Sequence, residues 1–459
     1  MPTVSKRPPP VVLPQLCKGC GRCIEACPRH CISMGHDVNQ LSGLVPVVID
    51  FDVCNGCGVC LSACPEPYGL MTSAYELEDP GHLYGPREAP APAASIPDAL
   101  VELPPCESLV VKGNYAAAVG AVLAGCRHVF GYPITPSTEG AELMAKLLPE
   151  MDGVFLQAVS EVATINHMYG CGGAGLRCMT FTSSPGMSLM LEGISYMIGA
   201  EVPAVIVDVM RGGPGLGNIG PEQGDIKLAC RGLGHGNTHG IVLAPATPQE
   251  MLDLTMEAFR LAFEYRNPVI VVVDGYLGQM TGKVRLPDAM VRPGLPAWAV
   301  WGDAGHRRNL INSIYLAEPD LEAHNERLLA KYARITEREQ RANTFRTDDA
   351  SILVVACNTP ARMAKGAVEK LRSLGVPAGL FHPVTLWPFP IRELASLLDR
   401  VTDIVVVEAS AGQLEDELRL ALSHAGAVVP IHSVRRMGGM LPQQDEIVHA
   451  VRGLAEVSV

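Results

Sequence analysis

Eight of the nine cysteines in the first 64 residues are spaced for one kind of chemistry. Cys17, Cys20, Cys23 and Cys27 form one run, closed by Pro28, and Cys54, Cys57, Cys60 and Cys64 repeat it, closed by Pro65. With this spacing three close thiolates grip one iron–sulfur cubane, and the fourth reaches across to the neighbouring one. The pattern predicts two [4Fe–4S] centres, one on Cys17, Cys20, Cys23 and Cys64, the other on Cys54, Cys57, Cys60 and Cys27. A pair of zinc sites is the competing reading, but zinc motifs rarely place four cysteines in one tight run. Cys31 falls outside the spacing and reads as a bystander. Cys106, Cys126, Cys171, Cys178, Cys230 and Cys357 lie in apolar or loop contexts and read mostly as buried free thiols. A reducing compartment suits both groups.

A second set of candidates lies between Gly131 and Asp225. Tyr132, Pro133, Ile134 and Thr135 lead through Pro136 to Ser137; Ser160 and Glu161 follow later; Arg211 opens a glycine-rich run. Each group follows an apolar run that reads as a buried strand: Val129 and Phe130, Gly153 to Ala158, and Ala204 to Val209. Loops after parallel strands are where open α/β sheets carry ligand chemistry. A loop fixed by two prolines and bearing hydroxyls suits substrate positioning, although Ser137 or Thr138 could simply cap the next helix. Glu161 could do no more than complement a helix dipole. Arg211 suits a bidentate grip on a carboxylate, or a structural ion pair with Asp208 or Glu222.

The surrounding pattern says what positions these groups. At 459 residues, 48% apolar and 18% charged, the chain has the composition of two or three globular domains. Further strands are expected at Thr180 to Thr182, Ile241 to Ala244 and Val269 to Asp274, with helices between them, giving a mostly parallel, doubly wound sheet over 108–281. Residues 282–347 read as a connecting segment, irregular first and then a charged, solvated helix from Ala323 to Arg346. Residues 348–459 read as a second α/β domain: strands at Ser351 to Ala356, Ala378 to Phe381 and Ile404 to Glu408, and a helix from Ala361 to Leu374. Residues 1–80 form the cysteine-rich unit, and the Pro- and Ala-rich 81–107 reads as a tether. The net charge of −12 argues against a nucleic-acid surface. No apolar run is long enough for a membrane span. The start has no apolar secretion segment, so a cytoplasmic location is expected.

The stretch from Asp208 to Asp225, with Gly131 to Ser137 and Ser160 to Ala163, resembles the alpha subunit of the thiamine-diphosphate-dependent 2-oxoacid:ferredoxin oxidoreductases. Within that family it looks most like the branched-chain (2-oxoisovalerate) type. The cysteine-rich unit resembles the ferredoxin-like delta subunit, here fused to the alpha chain. The resemblance implies a small α+β two-cluster ferredoxin domain, a pyrimidine-binding α/β domain, and a domain like the transketolase C-terminal domain. It makes Glu161 the carboxyl that shifts the aminopyrimidine ring of thiamine diphosphate into its basic tautomer. The end of an apolar strand would suit a hydrogen-bond-donating carboxyl. It makes Thr135 the contact to substrate and cofactor ring, with Tyr132, Pro133 and Ile134 beside it, and Arg211 the grip on the 2-oxoacid carboxylate.

In that family a beta subunit holds the diphosphate and Mg²⁺ through a Gly-Asp-Gly motif, which this sequence lacks, so the chain is expected to supply half an active site. The implied reaction is oxidative decarboxylation of a 2-oxoacid such as 3-methyl-2-oxobutanoate, with coenzyme A taking the acyl group. Electrons would pass through the clusters to ferredoxin, and a gamma-type subunit is expected beside beta. The competing readings are the same reaction on 2-oxoglutarate, pyruvate or an aryl 2-oxoacid, and a non-catalytic electron-transfer scaffold. One position departs from the family: Ser184 stands where a glycine is usual, in the run from Ser183 to Gly186.

Overall fold

A computed structural model of the chain describes residues 9–66, 69–72 and 94–457. The chain divides into two units, one of residues up to 72 with Gly302–Arg308 and Ile314–Leu329, the other of the remainder. In the first, two short antiparallel pairs, Val11–Val12 with Leu70–Met71 and Ile32–Met34 with Val47–Ile49, flank the helices Arg22–Glu25 and Val59–Ala63. Each helix begins within a cysteine run, and its core is largely sulfur: Cys17, Cys23, Cys27, Cys31 and Cys60 are buried with Ile32, Val47 and Leu70.

The second unit is built on two sheets. The larger has seven strands, in the order Thr385–Trp387, Ile241–Leu243, Pro268–Asp274, Ala204–Met210, Cys178–Thr182, His128–Gly131 and Val154–Gln157. All pairings are parallel except that of the Thr385–Trp387 edge. Ala204–Met210 and Pro268–Asp274 are buried at every residue, which is why they read as unbroken apolar runs rather than alternating ones. The smaller sheet runs Ala342–Phe345, Ala378–Pro383, Ile352–Val355, Asp403–Glu408, Ile431–Arg435, parallel except for its first strand.

Three expectations change. The tether expected over 81–107 lies outside the described residues as far as 93. Beyond that, Ala99–Glu102 is a strand paired antiparallel with Ala289–Arg292. Asp98 pins this segment by pairing with the buried Arg177 and accepting from the Gly294 N–H at 2.8 Å. The expected connecting segment likewise contributes strands, Thr281–Val284 against Leu109–Lys112 and Ala342–Phe345 in the smaller sheet. Its helix, Glu318–Arg338, is not wholly solvated: Lys331, Tyr332 and Ile335 are buried. The Lys331 ammonium survives there by donating to Glu201 Oε1 at 3.1 Å and to the Arg266 carbonyl at 3.2 Å.

Candidate active site and cluster cavities

In the larger sheet the chain order changes direction between His128–Gly131 and Cys178–Thr182. Val154–Gln157 lies outward of the first, while Ala204–Met210 and Pro268–Asp274 lie beyond the second. Such a switch point, at the carboxyl ends of parallel strands, opens the crevice in which α/β proteins bind ligands. The loops carrying Thr135, Glu161, Ser184 and Arg211 all leave from that edge, each directly after one of these strands.

Glu161 is the first residue of the helix Glu161–Gly173, whose N-cap Ser160 accepts from the Ala163 N–H at 3.2 Å. The cap fixes the helix start and sends the Glu161 side chain inward, to 5% exposure. There it lies against Gly186 and Thr182: a Cβ built on Gly186 would stand 2.5 Å from Glu161 Oε1 and 2.3 Å from Thr182 Oγ1. Thr182 Oγ1 and Ser183 Oγ are buried beside it without hydrogen-bond partners. A buried carboxyl with unanswered hydroxyls nearby fits the polar edge of an aminopyrimidine ring.

Tyr132, Pro133 and Thr135 are exposed and Ile134 is half-buried, on a loop held from below. The Pro136 carbonyl accepts from Asn114 Nδ2 at 2.9 Å and Gln279 Nε2 at 3.2 Å. Ser137 precedes the helix Thr138–Leu147 but does not cap it through its side chain; its hydroxyl donates to the Ile134 carbonyl at 2.8 Å.

Arg211 donates from Nη1 to the Thr135 carbonyl at 2.9 Å and from Nη2 to the Leu216 carbonyl at 3.2 Å. Its partners are carbonyls, not the Asp208 or Glu222 carboxylates, and no ion pair among the described residues neutralises its charge. Nε is buried without a partner. The glycine-rich run folds back as a loop: the Gly213 N–H donates to Glu222 at 3.0 Å, and Asn218 Nδ2 to the Gly438 carbonyl at 2.9 Å.

Motif reading missed the carboxyl pair behind Arg211. Asp208 is fully buried on its strand, and Asp225, also buried, lies beside it. Burial first, and then the neighbouring carboxyl, pushes Asp208 well above the usual carboxylate range. Burial also raises Asp225, although donors such as Ser184 work the other way. Ser184 joins this pair to the site, donating to Asp225 Oδ2 and accepting from the Arg211 N–H at 3.1 Å. The residue that departs from the family pattern therefore occupies a defined place. The signal in the sequence was the pair of acids bracketing the glycine-rich run.

In the smaller unit, Cys17, Cys20, Cys23 and Cys64 line one cavity, with Lys18, Gly21 and Gly69 among its other walls. Cys27, Cys54, Cys57 and Cys60 line a second, and so does Cys31, the expected bystander. Among the described residues no three Cys, His, Asp or Glu converge as a single metal ion demands. Thiols spread around a space, rather than aimed at a point, fit a polynuclear cluster better than zinc.

The comparisons with known proteins agree with this architecture. Residues 119–331 match the family "Pyruvate flavodoxin/ferredoxin oxidoreductase, thiamine diP-bdg", residues 350–447 "Pyruvate:ferredoxin oxidoreductase core domain II", and residues 16–67 the "4Fe-4S dicluster domain". The ketoisovalerate oxidoreductase subunit VorB of Methanothermobacter thermautotrophicus is 47% identical over 348 residues, 75% of this chain and 97% of that relative. The 2-oxoglutarate synthase subunit KorA of the same organism is 35% identical over 373 residues, 75% of this chain and 98% of the relative. A solved 2-oxoglutarate:ferredoxin oxidoreductase from Magnetococcus marinus, with 2-oxoglutarate, coenzyme A and succinyl-CoA bound, is similar with a TM-score of 0.67 at 25% identity. The match covers 76% of this chain and 65% of that one, so the chain spans about two thirds of its length.

Fold and site together define a thiamine-diphosphate-binding α/β subunit that carries a two-cluster iron–sulfur domain. The chain belongs to the 2-oxoacid:ferredoxin oxidoreductase family. Its relatives are named as subunits, so it works with other chains. No helix among the described residues is long and apolar enough to cross a membrane.

Proposed function

We propose that this chain supplies the pyrimidine side of the active site for CoA-dependent oxidative decarboxylation of a branched-chain 2-oxoacid such as 3-methyl-2-oxobutanoate. The products are the acyl-CoA and CO₂, and two electrons leave singly through the two clusters to ferredoxin. The observation that carries the reading is Glu161, buried against Gly186 close to Thr182 at the switch point, with Arg211 nearby bonded to carbonyls and without a carboxylate partner among the described residues. Thiamine diphosphate, when bound, supplies the nucleophilic carbon. Glu161 would donate to the aminopyrimidine ring and hold its tautomer. Arg211 would take the substrate carboxylate through the N–H groups of Nη1 and Nη2 that the two carbonyls leave free. Thr135, whose carbonyl fixes Arg211, would face the substrate from the opposite side, with Tyr132, Pro133 and Ile134 along the ring.

The higher identity to a ketoisovalerate enzyme than to a 2-oxoglutarate enzyme favours the branched-chain substrate. Support for a covering subunit comes from the site's rim, where Val159 is 87% exposed, Leu216 83% and Ile219 63%. Apolar exposure of this kind marks an interaction surface. We assign it to a beta subunit that holds the diphosphate and Mg²⁺; a gamma-type subunit would complete the assembly.

The test is Glu161→Gln in the assembled complex, read as 2-oxoacid-dependent dye reduction. Loss of a general acid–base group costs roughly 10²- to 10⁴-fold in kcat, with cluster absorbance and subunit assembly intact. A structural glutamate at a helix start contributes only ~0.3 to 1 kcal/mol of stability and would leave turnover near normal. Near-normal turnover would remove Glu161 from the mechanism.

A further inference from the structure

The second cluster cavity offers five thiols to a cubane with four irons. Cys54, Cys57 and Cys60 come from one run, and Cys27 and Cys31 both reach the cavity from the other. The sulfurs of Cys27 and Cys31 lie 3.4 Å apart, in contact, and both residues are buried. A short turn joins them, the His30 N–H donating to the Cys27 carbonyl at 3.1 Å. Cys27 follows the short helix Arg22–Glu25, whereas Cys31 immediately precedes the strand Ile32–Met34, and its carbonyl accepts from the Asp50 N–H at 2.8 Å. The turn thus brings two thiols to one position on the cavity wall. A buried cysteine that merely fills a core needs no place on the cavity wall.

We propose that Cys31 is a reserve ligand of the cluster held in this second cavity, able to bind the iron that Cys27 otherwise holds. A change of one staggered side-chain rotamer moves a cysteine sulfur by roughly 3 Å, comparable with the separation seen here. In the exchange the Fe–S bond to Cys27 breaks and that to Cys31 forms. The Cys31 thiol proton passes to the released Cys27 sulfur, so the cluster's oxidation level is unchanged and no other reactant is consumed. The device would preserve the cluster when Cys27 is oxidised or displaced, which matters for a centre that has one ligand from the distant run. The inference rests on the assignment of a cluster to this cavity.

Iron content and EPR of the anaerobically purified full-length chain test it without recourse to turnover. Two cubanes correspond to about eight irons per chain. Cys27→Ala and Cys31→Ala should each retain about eight, and neither should show, when oxidised, the signal of a three-iron cluster. The double variant should lose iron and show that signal or none of the second cluster at all. If Cys27→Ala alone behaves like the double variant, or Cys31→Ala alone loses iron, the exchange is refuted. It is equally refuted if the double variant keeps both four-iron clusters. Cys57→Ala serves as the control: were it to keep about eight irons, the assignment of the cavity itself would fall, a result distinct from failure of the exchange.

Discussion

Gly186→Ala probes the site through space rather than charge. A Cβ at this position would stand 2.3 Å from Thr182 Oγ1, 2.5 Å from Glu161 Oε1 and 2.8 Å from Glu161 Cγ. Ordinary contacts lie near 3.5 to 4 Å, so about 1 Å must be found somewhere. Thr182 ends a strand buried at every residue and is β-branched, so its hydroxyl has little freedom to move. The Glu161 carboxyl is the end of a longer chain and gives way instead. Its helix stays, because the start is held by the Ser160 cap on the Ala163 N–H. Overpacking of this kind costs typically ~1 to 3 kcal/mol of stability, whereas a 1 Å misplacement at a reacting centre costs on the order of 10²-fold in rate.

The expected result is a complex that assembles, keeps its cluster absorbance and melts slightly lower, yet turns over about a hundredfold more slowly. The 2-oxoacid KM should move less than kcat, since Arg211 is not displaced. Thermal melting and steady-state dye reduction on the same preparation separate the two effects. Turnover within about a factor of two of wild type, with the lowered melting temperature present, would refute the reasoning: the carboxyl would have moved without consequence, and its position would not matter.

Other perturbations follow from the same geometry. Ser184→Gly removes the acceptor of the Arg211 N–H, a bond of about 1 kcal/mol, so the 2-oxoacid KM should rise roughly fivefold with kcat less affected; an unchanged KM would mean that the Thr135 and Leu216 carbonyls hold Arg211 unaided. Asp208→Asn tests the buried carboxyl pair. Because Asp208 is raised above its unfolded value, the native state keeps a proton that the unfolded chain releases, and stability falls as pH rises from about 4 through the native pKa. The wild type should lose up to about 1.4 kcal/mol per pH unit in that window while the variant is flatter; parallel melting-temperature profiles would contradict this. Lys331→Ala removes the donor to Glu201 and to the Arg266 carbonyl and should cost ~1 to 3 kcal/mol in urea unfolding, with no change in the KM for the 2-oxoacid.

Parts of this molecule were legible in the sequence because one physical rule dominated them. Ala204–Met210 and Pro268–Asp274 are buried on both faces, so burial alone writes an unbroken apolar run. The cysteine runs were legible because cubane geometry constrains spacing within a few residues. What was missed depended on long-range pairing. Ala99–Glu102 sits in a proline-rich stretch, and nothing local shows that Ala289–Arg292 will pair with it. Ala342–Phe345 hides behind a charged helix and becomes a strand only against Ala378–Pro383. Lys331 read as solvated because its partners, Glu201 and the Arg266 carbonyl, are remote in sequence. The place of Cys31 is illegible for a related reason: spacing describes reach along the chain, while the cavity is lined by residues from both runs together with Cys31.

The acids around Arg211 explain how an unpaired guanidinium is kept in place without being neutralised. A carboxylate bonded directly to it would fix the side chain but would compete with a substrate carboxylate for the same donors. Here the acids act on the backbone instead. Asp225 holds Ser184, which accepts from the Arg211 N–H; Glu222 accepts from the Gly213 N–H; Asn218 ties the loop to Gly438. Among the described residues the guanidinium itself bonds to carbonyls alone, whose dipoles orient it and leave its full charge in place. The cost is a carboxyl pair buried without a cation, relieved by keeping a proton. That arrangement predicts opposite consequences for two neighbouring changes. Asp208→Asn relieves the pair and should leave the KM for the 2-oxoacid near wild type. Asp225→Ala removes the anchor of Ser184 and should raise that KM as Ser184→Gly does. Equal effects of the two on KM would show that the acids stabilise the fold alone and do not position Arg211.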